Sequence, residues 1–265
     1  MLNLSPLGFG VSGAHGTPLV RRTQTVSLIH RAARAGVRVF DTAPAYGAGE
    51  AEIRLGLALK SLDRSGLVIS TKAGLTSYGL TGRRRDFSPA AIETSLTASL
   101  TRLGVEGVDL LILHGVSHEE LSAPLQNRLE TLKAAGAYQA LGMAGRGLSL
   151  DEALEVGWFT YLMTPVHPFL DEDERAVLAR ARAMGVNVIA IETAGDAPAS
   201  PRTLRSMADL YPVFKHLHGA AHGRGRIGVT EGLRVALASG LADTVLFTTT
   251  RRRHLDVNLS VAEAL

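Results

Sequence analysis

Short, nearly continuous apolar runs alternate with longer stretches in which apolar residues return every three to four positions, from Leu7 almost to the end of the chain. The short runs predict strands covered on both faces, and the longer stretches predict amphipathic helices. Strands are expected at Leu7–Val11, Val37–Phe40, Leu67–Thr71, Val108–Leu113, Tyr138–Met143, Phe159–Met163, Val186–Ile191 and Thr244–Phe247. Helices are expected at Thr23–Ala35, Glu50–Lys60, Ser88 to about Leu103, Glu119–Ala135, Ser149–Val156, Asp171–Met184, Thr230–Ala238 and from about Arg252. Another is expected near Arg202–His218, inside a long irregular stretch. The punctuation agrees, because Gly36, Gly104, Gly136 and Gly185 each follow a helical pattern, and Ser88-Pro89 supplies a cap and a first-turn proline. Thr76–Phe87 reads as a long polar loop.

Eight strands alternating with helices predict a closed α/β barrel, the (β/α)8 or TIM barrel, with an open doubly wound sheet as the competing fold. The 265 residues suit one such barrel, and no linker or break in composition divides them, so 1–265 is expected to form a single domain.

Composition then removes whole classes of function. Hydrophobic residues make up 46% of the chain, yet no apolar run reaches the roughly 18 residues of a membrane span. Met1-Leu-Asn-Leu-Ser-Pro6 lacks the basic-then-apolar order of a secretory leader. The absence of cysteine excludes disulfides, thiolate catalysis and cysteine metal sites, and a cytoplasmic location is expected. The net charge is +3, and the basic runs Arg83–Arg85 and Arg251–Arg253 are short and carry no interleaved aromatics. A small-molecule partner is therefore expected, with no nucleic acid and no membrane. Lysine is rare, confined to Lys60, Lys72, Lys133 and Lys215, which draws attention to Lys72 at a strand end.

Asp41 closes the second strand, Lys72 the third and His114 the fourth, and Tyr46 follows Asp41 in a loop with Pro44, Gly47 and Gly49. In a barrel the C-terminal ends of all strands open on one face, so these side chains would crowd one rim. Asp41 would pair with Lys72, and a lysine ammonium beside a phenol lowers the phenol pKa by stabilising phenolate. Such a phenol exchanges a proton with a carbonyl or alcohol oxygen, while His114 donates a hydrogen bond to that oxygen. The competing reading makes Asp41 a turn cap and Tyr46 a packing residue.

The run Phe40-Asp41-Thr-Ala-Pro-Ala-Tyr46-Gly, with Ile69-Ser-Thr-Lys72 and Val108-Asp-Leu-Leu-Ile-Leu-His114, resembles the aldo-keto reductase superfamily. The resemblance implies a (β/α)8 barrel that reduces aldehydes or ketones with NADPH, less often NADH. It implies a catalytic tetrad of Asp41, Tyr46, Lys72 and His114, with Tyr46 as the acid/base. Phe247-Thr-Thr-Thr-Arg-Arg-Arg-His-Leu-Asp-Val-Asn258 is similar to the family segment after the last strand. It implies cofactor contacts from Thr248, Thr249, Thr250, Arg251, His254 and Asn258. Arg251 or Arg253 would meet a 2′-phosphate, and Asn258 the adenine. The chain departs from the pattern in three places. Ala144-Gly145 stands where the family has Ser-Asn, Met163 where it has glutamine, and Ile191 where it has an aromatic that stacks on nicotinamide.

Those departures keep two other readings open. The same rim can run a cofactor-free dehydration, isomerisation or other proton transfer. A non-catalytic binding barrel is the other reading, against which the complete set of four groups argues. Gly223-Arg-Gly-Arg-Ile-Gly228 has dinucleotide-like glycines but no preceding strand. His216, His218 and His222 have no acid or cysteine to complete a metal site, so no metal is expected. Trp158 is expected to pack at the barrel bottom, and Arg83–Arg85 lie at the active rim, where they are either solvated or read an acidic substrate.

Overall fold

The computed structural model describes residues 1–78, 82–147, 149–195 and 224–263. The helix expected near Arg202–His218, the three histidines 216, 218 and 222, and Gly223 lie outside the described residues. The strands among the described residues are β1 Leu7–Gly10, β2 Val39–Asp41, β3 Val68–Ala73, β4 Leu75–Tyr78, β5 Gly82–Arg85, β6 Val108–His114, β7 Tyr138–Ala144, β8 Tyr161–Pro165, β9 Asn187–Ile191 and β10 Thr244–Phe247. The helices among the described residues are α1 Arg22–Arg34, α2 Glu50–Leu59, α3 Pro89–Leu103, α4 Ala123–Ala134, α5 Ser149–Glu155, α6 Glu172–Ala183, α7 Val229–Ala238 and α8 Arg252–Glu263. Eight strands close a parallel barrel in the order β1-β10-β9-β8-β7-β6-β3-β2, as expected. An open sheet is excluded, because each of the eight strands is paired on both sides and no edge remains.

Strand alternation divides the core in two. Inside the barrel sit Val39, Val68, Leu110, Ile112, Tyr161, Ile189 and Leu246, all buried. The alternate residues, such as Phe40, Ile69, Leu111, Leu162 and Val188, face outward under the helices. A barrel interior filled this way is a packed core with no pore. It also fixes the mouth. Two residues beyond Val39, Ile112, Tyr161 and Ile189 on the same face come Asp41, His114, Met163 and Ile191.

Several boundaries differ from expectation. The polar stretch Thr76–Phe87 is mostly an antiparallel hairpin, β4 with β5, beside the barrel. The expected helix Glu119–Ala135 splits into a 3-10 turn, His118–Glu120, and α4. Ser122 accepts from the Leu125 amide and Pro124 occupies the first turn, so the helix restarts there. The strand expected at Phe159 starts at Tyr161, since Trp158 and Phe159 pack on each other and on the outer core before the barrel begins. The strand expected from Val37 starts at Val39. Trp158 therefore does pack below the barrel, as expected.

The loop carrying Tyr46 is pinned to the loop after β1. Gly47 has φ +65°, and a Cβ there would lie 1.9 Å from the Gly16 carbonyl oxygen. Only glycine meets both demands. Gly47→Ala should therefore cost about 2 kcal/mol or more, lowering the melting temperature by roughly 4–8 °C. A thermal melt of the variant within a degree of the parent would show that this approach is not a constraint.

Candidate active site

The first two acidic and basic groups of the mouth form a sealed ion pair. Asp41 ends β2 and Lys72 lies on the adjacent β3, in a register that aligns Asp41 with Ser70. The Lys72 ammonium donates to both Asp41 oxygens at 2.7 and 2.6 Å and to the Thr42 carbonyl at 2.9 Å. Ser70 Oγ donates to Asp41 Oδ1 at 2.7 Å. Lys72 is 1% exposed, so this cation has no water to solvate it and depends on these acceptors. Burial works to lower its pKa, but the Asp41 charge and the Tyr46 contact outweigh burial, and the net direction is upward.

Tyr46 and His114 complete the group. The Lys72 Nζ lies 5.1 Å from the Tyr46 ring centroid. The Tyr46 ring meets the His114 ring edge-on at 6.3 Å. The structure thus brings all four sequence-selected residues together. The expected direction of the Tyr46 pKa is corrected. Burial raises it, Lys72 and Arg83 pull it down, Asp41 pushes it up, and the net result is above the ordinary phenol value. Tyr46 is thus a phenol at neutral pH, in proton-donating form.

His114 is neutral. Burial first, then the charges of Lys72 and Arg83, lower its pKa to about 3. Its Nδ1 is buried without a hydrogen-bond partner. We assign the ring proton to Nε2, because a buried bare lone pair is the less costly of the two unpartnered forms. That leaves an Nε2–H donor for the mouth.

The floor beside His114 is apolar. Ala144 pairs in register with His114 and with Met163, and Ile191 pairs with Pro165. Ala144, Met163 and Ile191 all belong to the inner cluster. Further out, Arg146 after β7 and Glu192 after β9 form an ion pair across the mouth. Glu192 holds φ +53°, an uncommon backbone for a glutamate. Sequence reasoning missed this pair, because its members are 46 positions apart and neither follows a pattern.

The segment after β10 is a preformed loop leading into α8. Thr248 Oγ1 donates to the Gly10 carbonyl at 2.9 Å and contacts Ser12 Oγ at 3.1 Å. Thr249 Oγ1 accepts from the Arg251 amide at 3.2 Å. Two of the three threonine hydroxyls expected to face a phosphate are thus engaged within the protein. What remains for an anion is the start of α8, whose first amides have no intrahelical acceptor, with Arg251, Arg252, Arg253 and His254 around it. Asn258 is 3% exposed. These features fit the phosphate and adenine end of a dinucleotide.

One buried histidine holds that loop and escaped the sequence reading. His15, fully buried after β1, bridges Thr25 Oγ1 and the Thr249 carbonyl, each at 3.0 Å. Arg54 Nη1 donates to the same Thr25 hydroxyl at 3.3 Å. The hydroxyl proton must then point to His15 Nδ1, so Nε2 carries the ring proton and donates to Thr249. Burial, offset by the Thr249 bond and reinforced by Arg54, lowers the His15 pKa to about 4, which keeps this tautomer neutral. Only the distance of 234 positions between His15 and Thr249 hid it from local pattern.

No group of three or more histidines, cysteines or acids able to hold a metal ion occurs among the described residues. No helix there is long and apolar enough to cross a membrane.

Known proteins share this fold. An aldo-keto reductase from Bacillus halodurans, in its holo form, superposes with a TM-score of 0.78 at 23% identity, over 100% of this chain and 88% of that one. That likeness establishes the fold. An NADH-specific methylglyoxal reductase of Escherichia coli is 31% identical over 159 residues, 54% of this chain and 49% of the relative. An L-galactose dehydrogenase of Arabidopsis thaliana is 32% identical over 174 residues, 63% of this chain and 50% of the relative. The chain thus spans about half the length of the curated relatives it matches. A sequence model of the Aldo/keto reductase family matches residues 6–205. With the closed barrel, that match places this chain in the aldo/keto reductase family.

Proposed function

We propose that this chain is an NAD(P)H-dependent carbonyl reductase in which Tyr46 is the general acid. The observation that carries the proposal is the sealed Lys72–Asp41 pair lying against a protonated Tyr46 and a neutral His114. A bound nicotinamide supplies the hydride. His114 Nε2–H and Tyr46 Oη–H both donate to the substrate oxygen and fix its position. Tyr46 gives up its proton as negative charge grows on that oxygen. Lys72 stabilises the phenolate that remains, and Asp41 keeps Lys72 charged and in place. In the reverse direction the same phenolate accepts the proton of an alcohol.

The dinucleotide would be held from its phosphate end, by the first amides of α8, Arg251 to Arg253, His254 and Asn258, with Thr248, Thr249 and Thr250 shaping the loop. Ala144, Met163 and Ile191 offer the nicotinamide apolar contact in place of side-chain hydrogen bonds. The arginine run favours the 2′-phosphate form, in contrast to the E. coli relative, whose name specifies NADH. One observation favours a second reading: the apolar floor also suits a rim that moves protons without hydride.

Four measurements test this. Titration by nicotinamide fluorescence should give a micromolar Kd for NADPH, about tenfold below that for NADH. No binding of either at millimolar concentration would sink the reductase and leave the proton-transfer reading. Tyr46→Phe should cut carbonyl reduction by roughly 10²–10⁴-fold while keeping dinucleotide affinity. In the parent, kcat/KM for reduction should stay flat from about pH 5 to pH 8, because His114 stays neutral down to about 3 and Tyr46 stays protonated. An inflection near the ordinary histidine value would refute the neutral donor. His15→Ala should weaken NADPH binding about tenfold through the Thr249 loop with kcat nearly unchanged. His15→Gln, which keeps a donor, should recover part of it. A loss in kcat alone would show that His15 does not act through this loop.

A further inference from the structure

Three consecutive arginines stand on β5, and the hairpin register separates their surroundings. Arg84 lies with Asp86, at 3.1 Å. Arg85 makes a two-pronged pair with Glu120, Nε to Oε1 at 2.9 Å, and covers the Phe87 ring at 4.9 Å. Arg83 has no carboxylate partner and no hydrogen bond among the described residues. It is also exposed.

The face that Arg83 occupies is fixed by its neighbours. Residues two apart on a strand share a face, so Arg83 lies on the side of Arg85. Arg85 Nη1 comes within 3.5 Å of where a Cβ on Gly115 would sit, directly after His114. Across the hairpin Arg83 pairs with Ser77, whose Oγ donates to the Ala45 carbonyl at 2.7 Å, directly before Tyr46. Residues opposite each other in an antiparallel pair share a face as well. Arg83 is thus flanked on one side by the His114 loop and on the other by the Tyr46 loop. Its charge acts on both Tyr46 and His114.

We infer that Arg83 is a specificity residue that receives a carboxylate carried by the carbonyl substrate, so that the preferred substrates are acidic aldehydes or ketones. The inference rests on the reductase reading above and adds its substrate class. A guanidinium binds a carboxylate through two parallel hydrogen bonds, and the internal acids nearest to it are already paired with Arg84 and Arg85. One uncompensated cation matches one negative charge, which favours a carboxylate over a phosphate dianion. At the mouth, the anion also offsets the positive field that Arg83 imposes on the proton-donating rim.

The test compares 4-carboxybenzaldehyde, its methyl ester and 4-formylphenyl phosphate with the parent, Arg83→Gln and Arg84→Gln. The parent should show kcat/KM about tenfold or more higher for the acid than for the ester. In Arg83→Gln the acid-to-ester ratio should collapse toward one, through KM for the acid, while Arg84→Gln keeps the parent ratio and Arg83→Gln keeps the parent Kd for dinucleotide. A parent ratio near one, an unchanged ratio in Arg83→Gln, an equal loss in Arg84→Gln, a lost dinucleotide affinity, or a preference for the phosphate overturns the assignment. Turnover of the neutral ester reports the reductase reading separately. If neither aldehyde is reduced, saturation-transfer NMR of 4-(hydroxymethyl)benzoate against its methyl ester decides the question. Binding of the acid that is lost in Arg83→Gln supports the anion site, and binding that is equal in parent and variant overturns it.

Discussion

The Lys72–Asp41 ion pair is the constraint on which the rest of the mouth depends. Both groups are almost fully buried, at 1% and 4% exposure, on neighbouring strands. Removing either partner leaves a charge with no solvent, at a cost of about 3–5 kcal/mol. Replacing a buried ion pair by apolar residues of similar volume is often neutral or stabilising, so stability alone does not explain these residues. What the pair supplies is a fixed positive charge under the Tyr46 ring. The barrel makes that possible, because Asp41 and Lys72 continue the inward faces that Val39 and Val68 begin lower down.

Burial and charge compete over the same few groups, and the order of their strengths sets the chemistry. A cation beside a phenol argues for a lowered pKa, but in this site removal of water is the larger effect and Tyr46 stays protonated. For His114 the two effects add, since burial and the cations Lys72 and Arg83 all oppose a second proton. The rim therefore presents two neutral donors backed by one sealed cation. That combination suits an oxygen that is uncharged on arrival and anionic in the transition state.

Much of this was legible in the sequence, and the misses share a cause. Eight alternations of apolar run and helix gave the barrel, and Asp41, Lys72 and His114 were readable because each stands where an apolar run stops. Tyr46 was readable because Pro44, Gly47 and Gly49 mark its loop. The hairpin β4–β5 was not, because no described side chain of either strand is buried to impose alternation, and Gly82-Arg-Arg-Arg85 is polar throughout. His15, Arg146 and Glu192 gave no local signal, since each acquires its meaning from a partner far away along the chain. The threonines after β10 were read for their hydroxyls. The structure engages the hydroxyls of Thr248 and Thr249 within the protein and leaves the amides of α8 to face outward.

The two ends of the groove are built on different principles, and this bears on how the site works. At the α8 end the loop is held rigid by His15, Gln24 and Ser12 before anything binds, so little ordering is left for a ligand to impose. At the β7–β9 end the floor is Ala144, Met163 and Ile191, which offers contact area but no direction. Apolar contact alone lets a ring rotate, whereas transfer to a defined carbon needs one face and one orientation. In the reductase proposed above, orientation at that end would come from what surrounds the floor: the His114 and Tyr46 donors to the carbonyl, with the Arg146–Glu192 pair beyond it. Such a site would transfer part of the work of alignment from cofactor to substrate. That places a premium on a second anchor for the substrate itself, on the side of the mouth where Arg83 stands.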